Sequence, residues 1–149
     1  FASPMHDLGK MAIPDSILKK PGKLNDAEMR LMQTHTTVGY EMLCHSKREL
    51  LGAAATIALQ HHERPDGAGY PNGLAGEEIH VFARITAIAD VFDALGVKRV
   101  YKEAWPLDRI LDYFREQRGK QFDDALTGVF LDNIEDFIAI RRAFSCPAS

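Results

Sequence analysis

Val81-Phe82-Ala83-Arg84-Ile85-Thr86-Ala87-Ile88-Ala89-Asp90-Val91-Phe92-Asp93-Ala94-Leu95 is the stretch that decides the fold. Its only charged residues are Arg84, Asp90 and Asp93. It has no strand-like alternation and reads as the most apolar helix of the chain, over residues 77–97. A helix apolar nearly all round is expected to be buried nearly all round. Asp90 and Asp93 are three apart and share a face. Two carboxylates on a buried helix need a cation or strong donors nearby.

Working outward, the neighbouring segments are also helical. Asn25, with Glu28 three residues on, forms a capping-box-like start. From there Leu31, His35, Val38 and Met42 recur at helical spacing, which places His35 on an apolar stripe. A second helix begins near Lys47, with Leu50, Ala54, Ile57, Ala58 and His61 on one face. It ends at His61-His62-Glu63, because Arg64-Pro65-Asp66-Gly67 cannot continue it. The loop over 65–76 holds four glycines and two prolines, and loops of such length are often functional. Asp108 is expected to cap a helix that stops near Gly119. A last helical region runs over about 123–144. Residues 14–24, with two prolines and a glycine, form an ordered loop. No repeat or low-complexity tract is present, and the class is all-α.

Composition narrows the function. The chain has 149 residues, 46% hydrophobic and 26% charged, which suits one soluble globular domain. A net charge of -3 argues against general binding to a nucleic-acid backbone. No run approaches the roughly 18 apolar residues of a membrane span. Cys44 and Cys146 read as free thiols in a reducing compartment, hence the cytoplasm. The start, Phe1-Ala2-Ser3-Pro4-Met5, reads as the run-up to a motif, and the chain is expected to be a fragment.

That motif is His6-Asp7-Leu8-Gly9-Lys10. Adjacent imidazole and carboxylate groups offer a nitrogen and an oxygen ligand, and Lys10 lies one helical turn on. With His35, His61-His62, Asp90 and Asp93, the set suits iron, manganese, zinc, cobalt or nickel better than magnesium or calcium. Four histidines and two or three acids exceed the needs of one zinc. The surplus points to two metals bridged by a carboxylate, with Asp7 the natural bridge. Two metals can generate a nucleophile from water and clamp a phosphate ester. Lys10, Arg99 and Lys102 are cations that could hold phosphate oxygens. Each residue also has a plainer reading. His35 alone suits a core histidine, His61-His62 a helix C-terminus, Asp90 a partner of Arg84 and Asp93 a partner of Arg99. The conjunction of polar exceptions on three helices favours the metal site.

These residues resemble the HD-GYP domain, a subgroup of the HD metal-dependent phosphohydrolases, over essentially the whole chain. The resemblance runs through His6-Asp7-Leu8-Gly9-Lys10, Lys20-Pro21-Gly22-Lys23-Leu24, His35 with Gly39, and His61-His62-Glu63. It continues through Asp66-Gly67, Gly69-Tyr70-Pro71, Asp90-Val91-Phe92-Asp93-Ala94-Leu95, Arg99, Tyr101-Lys102 and Gln121-Phe122-Asp123. The block from His-His-Glu to Gly-Tyr-Pro is the most specific part. The resemblance implies an HD helical bundle that hydrolyses cyclic di-GMP to pGpG and GMP in bacterial signalling, with two divalent ions, iron or manganese first.

By position, Asp7 would bridge the ions, His35, His61 and His62 would complete one, and His6 and Asp90 would serve the other. Lys10 and Asp93 would lie near the bridging hydroxide or scissile phosphate. Arg99 and Lys102 would hold the ligand's phosphates, and Tyr70 would border the ligand. A receiver or sensor domain would precede this one, and a GGDEF-type protein would meet the Gly-Tyr-Pro loop. Family members carry a further histidine on a helix before the His-Asp motif, which this chain is expected to lack. The segment Gly96-Val97-Lys98-Arg99-Val100-Tyr101 also departs from the family's usual residues. The rival readings are an impaired HD-GYP binding module and an HD phosphohydrolase for another nucleotide.

Overall fold

The computed structural model describes residues 2–97 and 103–144. Among them are eight α-helices: α1 (Asp15–Leu18), α2 (Asp26–Gln33), α3 (His35–Leu43), α4 (Glu49–Gln60), α5 (Val81–Gly96), α6 (Leu107–Gln117), α7 (Asp124–Asp132) and α8 (Ile134–Phe144). Single 3₁₀ turns cover Ser3–Met5, Leu8–Ala12 and Gly76–Glu78. The described residues form isolated bridges but no β-strand, so the chain is all-α as expected. None of their helices is long and apolar enough to cross a membrane.

Local chemistry explains most of the boundaries. Asn25 accepts the Glu28 amide at 2.9 Å while Glu28 accepts the Asn25 amide at 2.8 Å, which closes the capping box of α2. Asp123 caps α7 by accepting the Leu126 amide. Asp108 sits inside the first turn of α6, not at its cap, which is Pro106. The apolar helix starts at Val81, where the His80 ring accepts the Phe82 amide; the residues just before it form the Gly76–Glu78 turn.

The helix expected from Asn25 to Met42 is in fact two, broken at Thr34. There the hydroxyls of Thr34, Thr36 and Thr37 donate to the carbonyls of Leu31, Gln33 and Thr34, and the His35 ring donates to Met32. Side chains that engage nearby carbonyls compete with the helix ladder and bend it. The break rotates the apolar stripe. His35, Thr36, Gly39 and Leu43 face inward, while Leu31 and Met42 face out.

Two apolar clusters hold the bundle. Ile88, Phe92 and Leu95 of α5 meet Ile110, Phe114, Phe122, Phe130 and Ile138. Here Phe114 stacks on Phe122 at 4.6 Å and tilts against Phe130 at 4.7 Å. The second cluster joins Leu43 of α3 to Ala54, Ala55 and Ala58 of α4, whose small side chains let the helices approach closely. Arg84 ties α5 to α7 through Asp123 at 2.7 Å, not to Asp90. The N-terminal half of α5 is not buried all round. Phe82 and Ile85 are 47% and 48% exposed, because α5 packs against α4, α6 and α7 and leaves their outer side uncovered.

The His-Asp turn reaches this frame by backbone contact. A Cβ on Gly9 would lie 1.9 Å from the His35 carbonyl oxygen and 2.6 Å from the Gly39 nitrogen. Gly9→Ala is therefore expected to destabilise the chain by about 3 kcal/mol, the upper end of the range for overpacking. Urea unfolding checks this. A midpoint within error of wild type would show that the turn can move aside at no cost.

Candidate metal centre

His35 is the first residue of α3, and His61-His62 directly follow α4. The two helices pack together, so one helix start and one helix end place three imidazoles side by side. The His-Asp turn adds Asp7 from a third element. Asp7, His35, His61 and His62 each offer one ligand atom within 4.8 Å of the others. His6 and Asp90 adjoin them. The His6 ring lies 4.9 Å from the His61 ring, and its Nε2 is 3.7 Å from Asp90 Oδ1.

Backbone carbonyls fix the ring orientations. Nδ1 of His6 faces the Ser3 carbonyl at 2.6 Å, Nδ1 of His35 faces Met32 at 2.7 Å, and Nδ1 of His61 faces Ile57 and Ala58 at 3.0 Å. A nitrogen facing a carbonyl must carry the hydrogen, so in neutral His35 and His61 Nε2 turns its lone pair to the site, as metal-binding histidines require. Nε2 of His35 and of His61 are 3.4 Å apart.

Asp7 is two-sided. Its Oδ1 faces His35 Nε2 at 3.6 Å and His61 Nε2 at 3.8 Å. Its Oδ2 faces Lys10 Nζ at 2.6 Å and His6 Nε2 at 3.4 Å. Asp7 Oδ1 and His6 Nε2 are buried and have no hydrogen-bond partner among the described residues. Leaving such groups unpaired costs about 1–3 kcal/mol each. A divalent cation fits the gap: the surrounding atoms are imidazole nitrogens and one carboxylate, a borderline donor set.

Charge is uneven across the site. The carboxylates of Asp7 and then Asp90 beside its Nε2 hold the His6 pKa up at about 10. Burial pushes His61 down to about 4 and His62 to about 3, helped by neighbouring imidazoles, and burial also lowers His35. Burial opposes the Asp7 charge, but the adjacent His6 imidazolium and the hydrogen bond from Lys10 together outweigh it and keep Asp7 ionised. Asp90 is lowered by the nearby His6.

The 65–76 loop folds back over the two histidines. Tyr70 stacks on His62 at 4.8 Å with 24° between planes, and its amide donates to the His62 carbonyl. Glu63, 3% exposed, accepts the amides of Asn72 at 2.7 Å and Leu74 at 3.0 Å. Gly69 is needed there, since a Cβ on it would fall 2.5 Å from Glu63 Cα. A cavity of about 260 Å³ results, lined by His61, His62, Tyr70, Asp90 and Gln121 among others.

His6, Asp7, Lys10, His35, His61, His62, Asp90 and Tyr70 are thus brought together. Asp93 is exposed and lines a separate groove with Phe92, Phe137 and Arg141. Arg99 and Lys102 lie outside the described residues, as does Cys146; Cys44 is a free thiol. Glu63 is the residue whose part the motif did not disclose. A lone acid beside two ligands carries no mark that its partners are backbone amides nine and eleven residues on.

Comparison with known proteins adds relatives. A family model described as HD domain matches residues 1–126. The chain is 53% identical over 142 residues to the 3′3′-cGAMP-specific phosphodiesterase 2 of Vibrio cholerae, covering 95% of this chain and 27% of that protein. It is 57% identical over 123 residues to a cyclic di-GMP phosphodiesterase response regulator of Xanthomonas campestris, covering 83% and 32%. A cyclic di-GMP phosphodiesterase of Thermotoga maritima is 44% identical over 131 residues, covering 88% and 36%. The chain spans 27–36% of the length of these relatives.

Two outcomes follow from the site. In the unfolded chain the histidines take up protons near pH 6.5, whereas folded His61 and His62 resist to about 4 and 3. In the metal-free protein the contribution of His61 and His62 should be full above pH 6.5 and lost as pH drops towards 4, ahead of carboxylate titration, while His6, raised to about 10, adds no slope in that window. A flat urea midpoint over that window would mean the rings are not held neutral. Glu63→Ala strands two loop amides and should cost about 1–3 kcal/mol. Hydrogen exchange should speed up at Asn72 and Leu74 first, and unchanged protection there would exclude the clamp.

Proposed function

The chain belongs to the HD domain family, and from that premise we propose that it is a metal-dependent phosphodiesterase that opens cyclic di-GMP to linear pGpG and then GMP. What chiefly supports this is the two-sided carboxylate of Asp7, with imidazoles facing one oxygen and His6 and Lys10 facing the other. The names of the relatives support the substrate class.

In this reading Asp7 would be shared between two divalent ions, with His35, His61 and His62 holding one and His6 with Asp90 holding the other. Iron or manganese suits the mixed donors, with zinc, cobalt or nickel as alternatives. Bound there, the ions would supply positive charge that acidifies a water and polarises the phosphoryl oxygens. Water oxygen bonds to phosphorus, the P–O3′ bond breaks, and the water's proton ends on the departing 3′ oxygen.

The chain's own groups do the rest. His6 must give up its Nε2 proton before it can ligate, so loading at neutral pH releases a proton. Lys10 would donate to a phosphoryl oxygen as charge develops. Tyr70, held by the Glu63 clamp, walls the cavity and excludes water from one side. Asp93, lining its separate groove, takes no part in this reading, and Arg99 and Lys102 would hold the phosphates. The whole of residues 1–149 is read as one HD-GYP-type domain acting in the cytoplasm. A receiver or sensor domain on the same polypeptide would regulate it, one relative being named a response regulator.

A second reading is 3′3′-cGAMP as the substrate, favoured by the relatives so named.

The test is hydrolysis after reconstitution with Mn²⁺ or Fe²⁺. Linear pGpG should appear, a chelator should stop it, and His35→Ala and Asp7→Ala should reduce turnover to background. A longer protein containing this chain, holding two metals per chain yet leaving cyclic di-GMP and 3′3′-cGAMP intact, would overturn the proposal.

A further inference from the structure

On the outer side of Tyr70 lies a second hollow of about 220 Å³, between that ring with Pro71 and the polar face of α2 and α3. Its remaining lining is Arg30, Gln33, Thr34 and Thr37. The two threonine hydroxyls are already committed, to the carbonyls of Leu31 at 2.7 Å and Thr34 at 2.9 Å. The guanidinium of Arg30 and the amide of Gln33 have no hydrogen-bond or ion-pair partner among the described residues. They are the donors this hollow offers, beside a flat wall of tyrosine and proline.

Tyr70 is common to this hollow and to the cavity over His61 and His62. Its ring stacks on His62. A dinucleotide with one phosphate held near Asp7 would then lay a nucleoside across Tyr70 with its base towards Arg30. Resting on the function proposed above, we propose that this hollow is a guanine-reading subsite in which Arg30 recognises the base edge and Gln33 assists. Guanine presents N7 and O6 as two adjacent acceptors, which match the fork of an arginine; adenine presents an acceptor and a donor there, which do not. A phosphate would also attract Arg30. The single cation, the neutral amide and the planar wall favour a flat base over a second phosphate.

Calorimetric titration of cyclic di-GMP into the Mn²⁺-loaded chain tests this without depending on turnover. Arg30→Ala should weaken binding about tenfold, the lower range for one bidentate base contact, with an unchanged melting temperature. Arg30→Lys keeps the charge but lacks the fork, so it should fail to restore affinity. In turnover assays the rise in KM should exceed any fall in kcat. Rescue by lysine would overturn the subsite in favour of a phosphate contact, and unchanged affinity in Arg30→Ala would remove it altogether. If the longer protein containing this chain, loaded with metal, neither binds nor cleaves cyclic di-GMP, the function proposed above fails. Wild-type binding with an indifferent Arg30 would sink the subsite alone.

Discussion

At Gly9 the turn that carries His6 and Asp7 touches the backbone of α3 with no side chain between them. Gly39 of α3 faces both neighbours, since a Cβ on it would lie 3.3 Å from the Gly9 nitrogen and 3.3 Å from the Ala58 Cβ on α4. Turn, α3 and α4 therefore form a stack in which glycine and alanine set the spacing. That spacing carries the chemistry. A carboxylate can stand between imidazoles from two helices only if the three elements lie closer than ordinary side chains allow. The dense packing of protein interiors makes such distances firm.

The centre stays polar inside an otherwise apolar bundle because three of its imidazoles and one oxygen of Asp7 are anchored on their outer side. Carbonyls of Ser3, Met32, Ile57 and Ala58 hold the imidazole Nδ1 atoms, and Lys10 holds one oxygen of Asp7. Helix ends are suited to this task, since their last carbonyls lack partners within the helix. The inward-facing atoms are left to one another. Burial keeps His61 and His62 neutral while two carboxylates keep His6 charged. A seam with one cationic and three neutral imidazoles is the compromise reached without a metal charge.

Much of this was legible in the sequence wherever one residue type has one strong local partner. Asn25 with Glu28, Asp123 at a helix start and His61-His62 before a proline are such cases, and so is the apolar run of α5. The family resemblance then joined ligands that no periodicity could join. What escaped depends on partners distant in sequence or on competition among near ones. The break at Thr34 arises because four consecutive side chains seek the same few carbonyls. Arg84 finds Asp123 across the bundle where Asp90 was nearer in sequence. The outer face of α5 stays exposed because hydropathy records what a helix could bury, not which neighbours reach it. Asp93 follows the helix turn away from Asp90, since three residues on a 3.6-residue period leave an angle that the surrounding helices resolve.

The four-residue donor set spans positions 7 to 62 and draws on three separate elements. In an unfolded chain those groups are scattered, and a metal has no preformed place to bind. Folding must come first, and any metal then acts as a crosslink that closes a loop of more than fifty residues. Such a link stabilises the native state by mass action. Opening of the stack of turn, α3 and α4 would then set how fast the ion exchanges, while donor strength sets its occupancy. A cell short of the preferred ion would accumulate folded, empty protein that waits for it.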